Sequence, residues 1–456
     1  MKALKKLSIL LLALSFIFCI GLLTSCGEEE TFNVMNLREY VVVIPENADA
    51  TVTYAAENFA LLAQEKTGFK PPVVKDNVPA VPKEILIGKT NREESRVQSE
   101  LGEMQYLVFM KNDKIVIEGN GIYVGAACGD FMNKYANSLL GTEFLDVENV
   151  PSDEIVAKYT PTNAPKSVIF MIGDGMGVNH VLMAEKNGLG SFTAKEFPFA
   201  GESVTRSQSV INGQSSATDS AASGTAMATG YKTINGYIGL DKNGQSILNV
   251  RELAALSGAK TGVITTDVIT GATPSSFMCH QGSRNDTSEL QAQIDSLISQ
   301  GKINYCAGDV GNELTNELKR ALSTISDMGS PFFIMIEEGQ IDKASHARKP
   351  KEALEYVIRF DDSIEYAAQF ALCHPDVALI VTADHETGKL LEAPLKYSEY
   401  GYAFRTDGHT NVNVPIYAIG AGTSIFANAT IENIELARFC ATAFSSEPFG
   451  QTEPVE

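Results

Sequence analysis

The sequence predicts an α/β protein with a mostly parallel central sheet covered by helices, preceded by a smaller α/β domain. Three observations predict it. From Ser167 onward, short apolar runs rich in β-branched residues alternate with segments of helical spacing. Those runs are apolar at nearly every position, as strands buried on both faces must be. A polar stretch over 158–166, carrying Pro161 and Pro165, separates this region from an earlier one with its own strands and helices.

The N-terminal end is read as export machinery. Lys2, Lys5 and Lys6 precede an apolar run from Leu7 to Leu23, the pattern of a signal peptide over residues 1–25. Leu23-Thr24-Ser25-Cys26 resembles the bacterial lipoprotein box. That resemblance implies a lipidated Cys26, hence membrane attachment in the bacterial cell envelope, facing the periplasm or exposed at the surface. The acidic Gly27-Glu28-Glu29-Glu30 is similar to a surface-export tag and equally fits an ordinary acidic tether.

Residues 31–157 read as a small α/β accessory domain. Tyr40–Ile44 is a β-rich run. Ala55–Lys66 places Phe59, Leu62 and Ala63 on one helical face and stops at Gly68. Glu84–Ile87 is a buried strand, and Gln105–Met110 with Lys114–Glu118 flank the hairpin signal Asn112-Asp113. Tyr123–Leu140 is helical again up to Gly141. Tyr54-Ala55-Ala56-Glu57 through Gly68, Glu84–Gly88 and Gly121–Phe144 together loosely resemble the small α/β domain that precedes some glycoside hydrolases. The resemblance carries no catalytic motif, and packing against the next domain is the simpler role.

In the larger region, 167–444, the expected strands are Ser167–Ile172, Lys260–Thr265, Pro331–Ile336, Val377–Thr382 and Val414–Ile419. The expected helices include Ser288–Ser299, Glu313–Ser323, Ala353–Ala371 and Ile431–Phe444. Sites in such folds lie at the carboxyl ends of the strands. A further helix runs from Ser220 through small residues to Thr229 and stops at Gly230. It puts a hydroxyl at a helix N-terminus, where unpaired N–H groups and the macrodipole favour an anion. The simpler alternative is a plain N-cap.

Composition narrows the function. Hydrophobic residues make up 44%, ample for a large core, and the net charge is −20. That balance argues against nucleic acid as a partner, since phosphate backbones demand a basic footprint. Beyond Cys19 and Cys26, the cysteines are Cys128, Cys279, Cys306, Cys373 and Cys440. They are odd in number and lack metal-ligand spacing, so most are expected to be buried as small apolar groups.

Metal-ligand residue types fall where the fold rule wants them. Asp174 follows the first strand, Thr273 a short loop after the second, Glu337 ends the third, and Asp384-His385 follow the fourth. Asp342 and His346 share one face of a helical turn, an arrangement suited to zinc. His409 precedes the last strand. The other histidines, His180, His280 and His374, lack such neighbours and read as surface or supporting residues, with His280 the one that could line the site.

Together, Ile172-Gly173-Asp174-Gly175-Met176-Gly177, Thr218–Thr225, Ala272-Thr273-Pro274, Ser283-Arg284, Glu337, Ile341-Asp342-Lys343 with His346, Thr382–Gly388 and His409 resemble the alkaline phosphatase family, in the family's order. The resemblance implies an alkaline-phosphatase-like sandwich and hydrolysis of small phosphate monoesters through a phosphoserine on Ser220. It implies one zinc on Asp342, His346 and His409, and a second on Asp174, Asp384 and His385. A magnesium ion would be shared by Asp174, Thr273 and Glu337, with Arg284 clamping phosphoryl oxygens. Paired cations stabilise the attacking and leaving oxygens of an in-line displacement, and a guanidinium fits two phosphate oxygens at once.

Two departures stand out. The family places Asp or His two positions before the threonine of the third metal site, and here that residue is Gly271, so a weaker magnesium site is expected. Lys343 is one of the residues that the family uses after the aspartate and would reach phosphate through water. The segment between His385 and His409 is short, without the insertions that shape the rim and the dimer elsewhere, so a homodimer stays open. Two other functions stay open as well: a phosphodiesterase of the same superfamily, disfavoured by Thr273 and Glu337, and a glycan-binding surface lipoprotein with a vestigial phosphatase domain.

Overall fold

A computed structural model describes residues 33–96, 100–134, 136, 155–211, 214–326, 330–396 and 398–451. The export segment, Cys26 and the acidic stretch lie outside these residues, as does the end of the helix expected over Tyr123–Leu140. Among the described residues no helix is long and apolar enough to cross a membrane.

The first sheet holds β1 (Val41–Ile44), β2 (Val73–Lys75), β3 (Glu84–Ile87), β4 (Gln105–Lys111), β5 (Lys114–Gly119) and β6 (Val156–Lys158), in the order β2-β1-β3-β5-β4-β6. The β4–β5 hairpin turns through Asn112 and Asp113, with φ of 51° and 60°. Two left-handed residues make the turn that matches strand twist, and Asn and Asp tolerate that conformation best. Helix α1 (Ala50–Thr67) starts ahead of the expected Ala55 because Asp49 caps it, accepting the Val52 N–H at 2.9 Å. Helix α2 (Val124–Lys134) follows β5.

The second sheet holds β7 (Ser167–Gly173), β8 (Phe199–Val204), β9 (Lys260–Thr265), β10 (Tyr305–Ala307), β11 (Phe332–Glu338), β12 (Val377–Thr382), β13 (Val414–Gly420) and β14 (Thr430–Glu432). Their order is β10-β9-β11-β7-β12-β13-β8-β14. The five strands from β10 to β12 are mutually parallel, as expected. The sheet is mostly parallel, as expected, and the exception is β13, which runs antiparallel to β12, with β8 antiparallel to β13. No helix is described between β12 and β13, and without a helical crossover the chain re-enters the sheet in the opposite direction. β8 escaped the sequence reading because Gly201 and Glu202 interrupt its apolar pattern. β14 was hidden in the expected Ile431–Phe444 helix, which is confined to Ile434–Ala441.

Register decides where the site forms. Glu337 on β11 stands opposite Ile172 on β7 and Thr265 on β9, and Thr382 on β12 stands opposite Ile172. The strands therefore end level, and the residues after them emerge on one edge. Helix α3 (Ser220–Thr229), α4 (Ala272–Ser276) and α5 (Gln340–His346) begin at that edge.

Helix α6 (Pro350–Cys373) joins the two sheets' layers. One apolar core contains Phe59 of α1, Phe131 of α2, Phe360 and Phe370 of α6, and Ile169 and Met171 of β7. Gly129 lets α2 come close: a Cβ there would meet the carbonyl oxygen of Leu372 at 2.6 Å. Tyr54 donates a hydrogen bond to Asp362 at 2.7 Å, and Lys319 pairs with Glu57 at 2.8 Å. The N-terminal region is thus part of a continuous core with the larger one. Cys128, Cys279, Cys373 and Cys440 are buried thiols, as expected, and Cys306 is half-buried.

Candidate active site

Helix α3 begins at Ser220, capped by Asp219, whose Oδ1 accepts the Ala222 N–H at 2.9 Å. Ser220 is therefore the first helical residue and the cap is its neighbour. Its Oγ lies 3.2 Å from Nε2 of His385. Oδ2 of Asp219 takes the Gly236 N–H at 3.0 Å and Nη1 of Arg284 at 3.1 Å. One carboxylate thus caps the helix that Ser220 begins and holds the arginine beside it.

Two sets of ligand atoms stand next to the serine. Asp342, His346 and His409 form one, and Asp174, Asp384 and His385 the other; within each set the ligand atoms lie within 4.8 Å of one another. Asp342 and His346 share a face of α5, and Nε2 of His346 lies 3.3 Å from Asp342 Oδ2. Gly175 (φ 74°) allows the loop after β7 to pass under them, since a Cβ there would sit 3.0 Å from Cα of Asp342.

Hydrogen bonds fix the imidazoles for coordination. Nδ1 of His409 meets the Thr218 carbonyl at 2.7 Å, and Nδ1 of His346 meets the carbonyl of Asp407. A carbonyl only accepts, so both Nδ1 atoms carry a proton, and in the neutral rings that bind a metal both Nε2 atoms present lone pairs. Those two Nε2 atoms are 3.0 Å apart and meet at one place. In the second set, the Thr387 hydroxyl donates to Asp342 and accepts from Nδ1 of His385 at 3.2 Å. Nε2 of His385 is then a lone pair facing Asp384 Oδ2 at 3.1 Å. Lone pairs facing one another call for a shared cation.

The orphaned atoms agree. Asp174 Oδ1, Asp384 Oδ2 and Thr273 Oγ1 are buried without hydrogen-bond partners. Burial, with Asp384, Asp342 and Glu337 nearby, pushes the Asp174 carboxyl well above its usual range. Burial, with Asp267 and Asp384 nearby, pushes Glu337 up to about 8. Asp342 differs: burial works to raise it, but the His346 hydrogen bond and His385 outweigh that and hold it low. Burial lowers His385 to about 4, keeping the imidazole neutral as a ligand requires. Buried carboxylates left without protein donors fit bound metal ions.

The remaining expected residues are also placed. Thr273 is the second residue of α4, and Glu337 accepts a hydrogen bond from Thr265. Of the two readings for the other histidines, surface or supporting, burial favours the second. His180 is buried between the Gly177 N–H (3.2 Å) and Ser345 Oγ (3.0 Å). His280 is half-buried against Glu252, and His374 is buried near Glu65. None of the three joins a ligand set. Sequence reading missed the roles of Asp219, Thr387 and the Asp407 carbonyl. Asp219 and Thr387 lie inside motifs already singled out, where cap chemistry and spacing could have marked them.

The alkaline phosphatase family profile matches residues 165–313 and 309–397, together just over half of the chain. The chain belongs to the alkaline phosphatase family. Among its relatives is alkaline phosphatase 4 of Bacillus subtilis, 29% identical over 54% of this chain and 66% of that protein. Alkaline phosphatase 3 of the same organism is 26% identical over 63% of this chain and 73% of its own length. The repressible alkaline phosphatase of Saccharomyces cerevisiae is 27% identical, and the chain spans 58% of its length. The structure of alkaline phosphatase from the Antarctic bacterium TAB5 superposes with a TM-score of 0.56 at 28% identity, over 62% of this chain and 98% of that one. A mutant of that enzyme, described as having Mg bound in its M3 site, gives a TM-score of 0.57 at 26% identity, over 62% of this chain and 99% of its own. The family match begins at residue 165, so the first sheet lies outside it.

Proposed function

We propose that this phosphatase-family chain hydrolyses small phosphate monoesters through a phosphoserine on Ser220. The observation that carries the reading is Ser220 Oγ at the start of α3, 3.2 Å from His385 and flanked by both ligand sets. Zinc ions on Asp342, His346, His409 and on Asp174, Asp384, His385, with magnesium near Asp174, Thr273 and Glu337, would supply Lewis-acid stabilisation of the attacking and leaving oxygens. The chain's own residues do the rest. The α3 N–H groups and dipole receive the phosphoryl dianion. Arg284, aimed by Asp219, takes two of its oxygens and releases part of its hold on that carboxylate. Ser220 Oγ attacks phosphorus, the ester bond to the alcohol breaks, and the departing alkoxide takes up the proton that Oγ gives up. Water then attacks the phosphoserine: its oxygen joins phosphorus, the Oγ–phosphorus bond breaks, and a proton from the water restores the Oγ hydroxyl.

The alcohol would lie toward solvent, so the site reads the phosphate and accepts many monoesters. The sequence pattern around Cys26 supports attachment to an envelope membrane. Buried Thr273 and Glu337 at a third site favour monoesters over diesters. The test is hydrolysis of a chromogenic monoester against the matching diester, with zinc and magnesium measured on the same sample. Monoester cleavage with about two zinc ions per chain is expected. Preferential diester cleavage, or monoester turnover in zinc-free protein, would overturn the reading.

A further inference from the structure

Gly271 stands where the family resemblance calls for a carboxylate or an imidazole. The space that such a side chain would enter is already taken. A Cβ on Gly271 would lie 3.0 Å from Oδ2 of Asp267 and 3.0 Å from the carbonyl oxygen of Val268. Asp267 sits in the loop leaving β9, and its carboxylate folds back over Gly271. Oδ1 accepts the Val268 N–H at 2.7 Å and a hydrogen bond from the Lys343 ammonium, which leaves Oδ2 over Gly271.

The same carboxylate stands beside the third group of expected ligands. A Cβ built on Gly339 would meet Cβ of Asp267 at 3.0 Å and the carboxyl carbon of Glu337 at 3.6 Å, so those two acidic side chains flank one point. Thr273 is 1% exposed, and its hydroxyl, on the Glu337 side, makes no hydrogen bond of normal geometry. Asp174 Oδ1 is buried and unpartnered as well. Two orphaned oxygens and a buried glutamate therefore face a place where the charge missing from position 271 would have acted.

We propose that Asp267 supplies, from the preceding loop, the acidic group that Gly271 lacks. It would steady the water shell of a magnesium ion seated at Asp174, Thr273 and Glu337, and tether Lys343 at the edge of the phosphate site. The proposal rests on reading the site as a metal centre. Asp267 does not join Asp174 in a set of mutually close ligand atoms, so it acts through water. Magnesium suits that arrangement, because it gives up its waters reluctantly and is often held by few direct protein oxygens.

The experiment is magnesium titration of the zinc-loaded protein, followed by calorimetry and by the rise in Tm, for wild type, Asp267→Ala, Asp267→Asn and Asp267→Ala with Gly271→Asp. Both single variants should weaken magnesium at least about tenfold, the usual cost of losing an outer-shell partner. Their zinc content should match wild type, which also shows that they fold. The double variant should regain most of the affinity, since shortening Asp267 opens the space above Gly271. Magnesium affinity within about twofold of wild type in both single variants would overturn the proposal. So would a zinc-loaded wild type that binds no magnesium. A wild type that holds neither zinc nor monoesterase activity would instead overturn the parent reading, and the two failures are distinguishable by metal content.

Discussion

Asp219 binds Arg284 through one carboxylate oxygen, at 3.1 Å, and caps the helix of Ser220 through the other. The proposed nucleophile and the proposed phosphate clamp are therefore positioned by one residue. Arg284→Ala should raise KM for a monoester and weaken inhibition by inorganic phosphate by about ten- to a hundredfold, the worth of charge-assisted hydrogen bonds. Asp219→Ala should do less to KM, because Arg284 stays, but should lower stability by about 1 kcal/mol through loss of the cap. Equal KM effects from both variants would mean that the arginine needs its carboxylate partner to bind phosphate.

Ser220→Ala should lower turnover by several orders of magnitude, since it removes the hydroxyl proposed to form the phosphoenzyme. Zinc content should not change, because the hydroxyl belongs to neither ligand set. Rapid-quench labelling with a radioactive monoester checks the same point: wild type should trap label and the alanine variant none. Label retained on the variant would move the nucleophile elsewhere.

Chelation should abolish activity and lower Tm, and added zinc should restore both. The reason is local: Nε2 of His346 and Nε2 of His409 come within 3.0 Å of each other, and Asp174 and Asp384 are buried side by side. Without a cation these groups repel, so metal binding and stability are linked. Activity that survives removal of all zinc would contradict both ligand sets.

Much of this was legible in the chain. Strands β7 and β12 are nearly continuous apolar runs, so their ends, and with them Asp174 and Asp384, could be placed from pattern alone. Asp342 and His346 lie one helical turn apart, so their shared face followed from geometry. The antiparallel turn of β13 was not legible, because an apolar run looks the same in either direction. Nor was the role of Asp267: its carboxylate substitutes for Gly271 across a loop, and only the folded backbone shows that the two meet. For His180 the choice between surface and supporting residue stayed open, because its partners, Gly177 and Ser345, are a backbone amide and a hydroxyl that no spacing rule reveals.

Gly129→Val should destabilise the protein by about 1–3 kcal/mol, the usual cost of overpacking. The new side chain would press on the carbonyls of Leu372 and Cys373 at the end of α6, and backbone cannot swing aside as a flexible side chain does. Because α1, α2 and α6 share one apolar core, thermal unfolding of wild type should show a single transition for both sheets. Two separated calorimetric transitions would show that the N-terminal region folds as an independent unit.

Asp361, on α6 and away from the ligand sets, makes a pH-dependent contribution of definite sign. Burial, aided by Glu365 and Asp362, pushes its carboxyl up to about 7, while the Thr193 N–H at 2.8 Å and hydroxyl at 3.0 Å hold it down only in part. Below the unfolded value of 3.8 both states are protonated and Asp361 has no effect. Between 3.8 and about 7 the unfolded chain ionises first, so the folded state binds more protons and stability falls as pH rises. Above that window the penalty is constant, on the order of a few kcal/mol. Asp361→Asn keeps an acceptor for the Thr193 N–H and carries no charge. It should raise Tm at pH 8 and leave it nearly unchanged at pH 4, measured on chelated protein so that zinc loss does not enter. An equal shift at both pH values would show that the gain comes from packing and not from the buried charge.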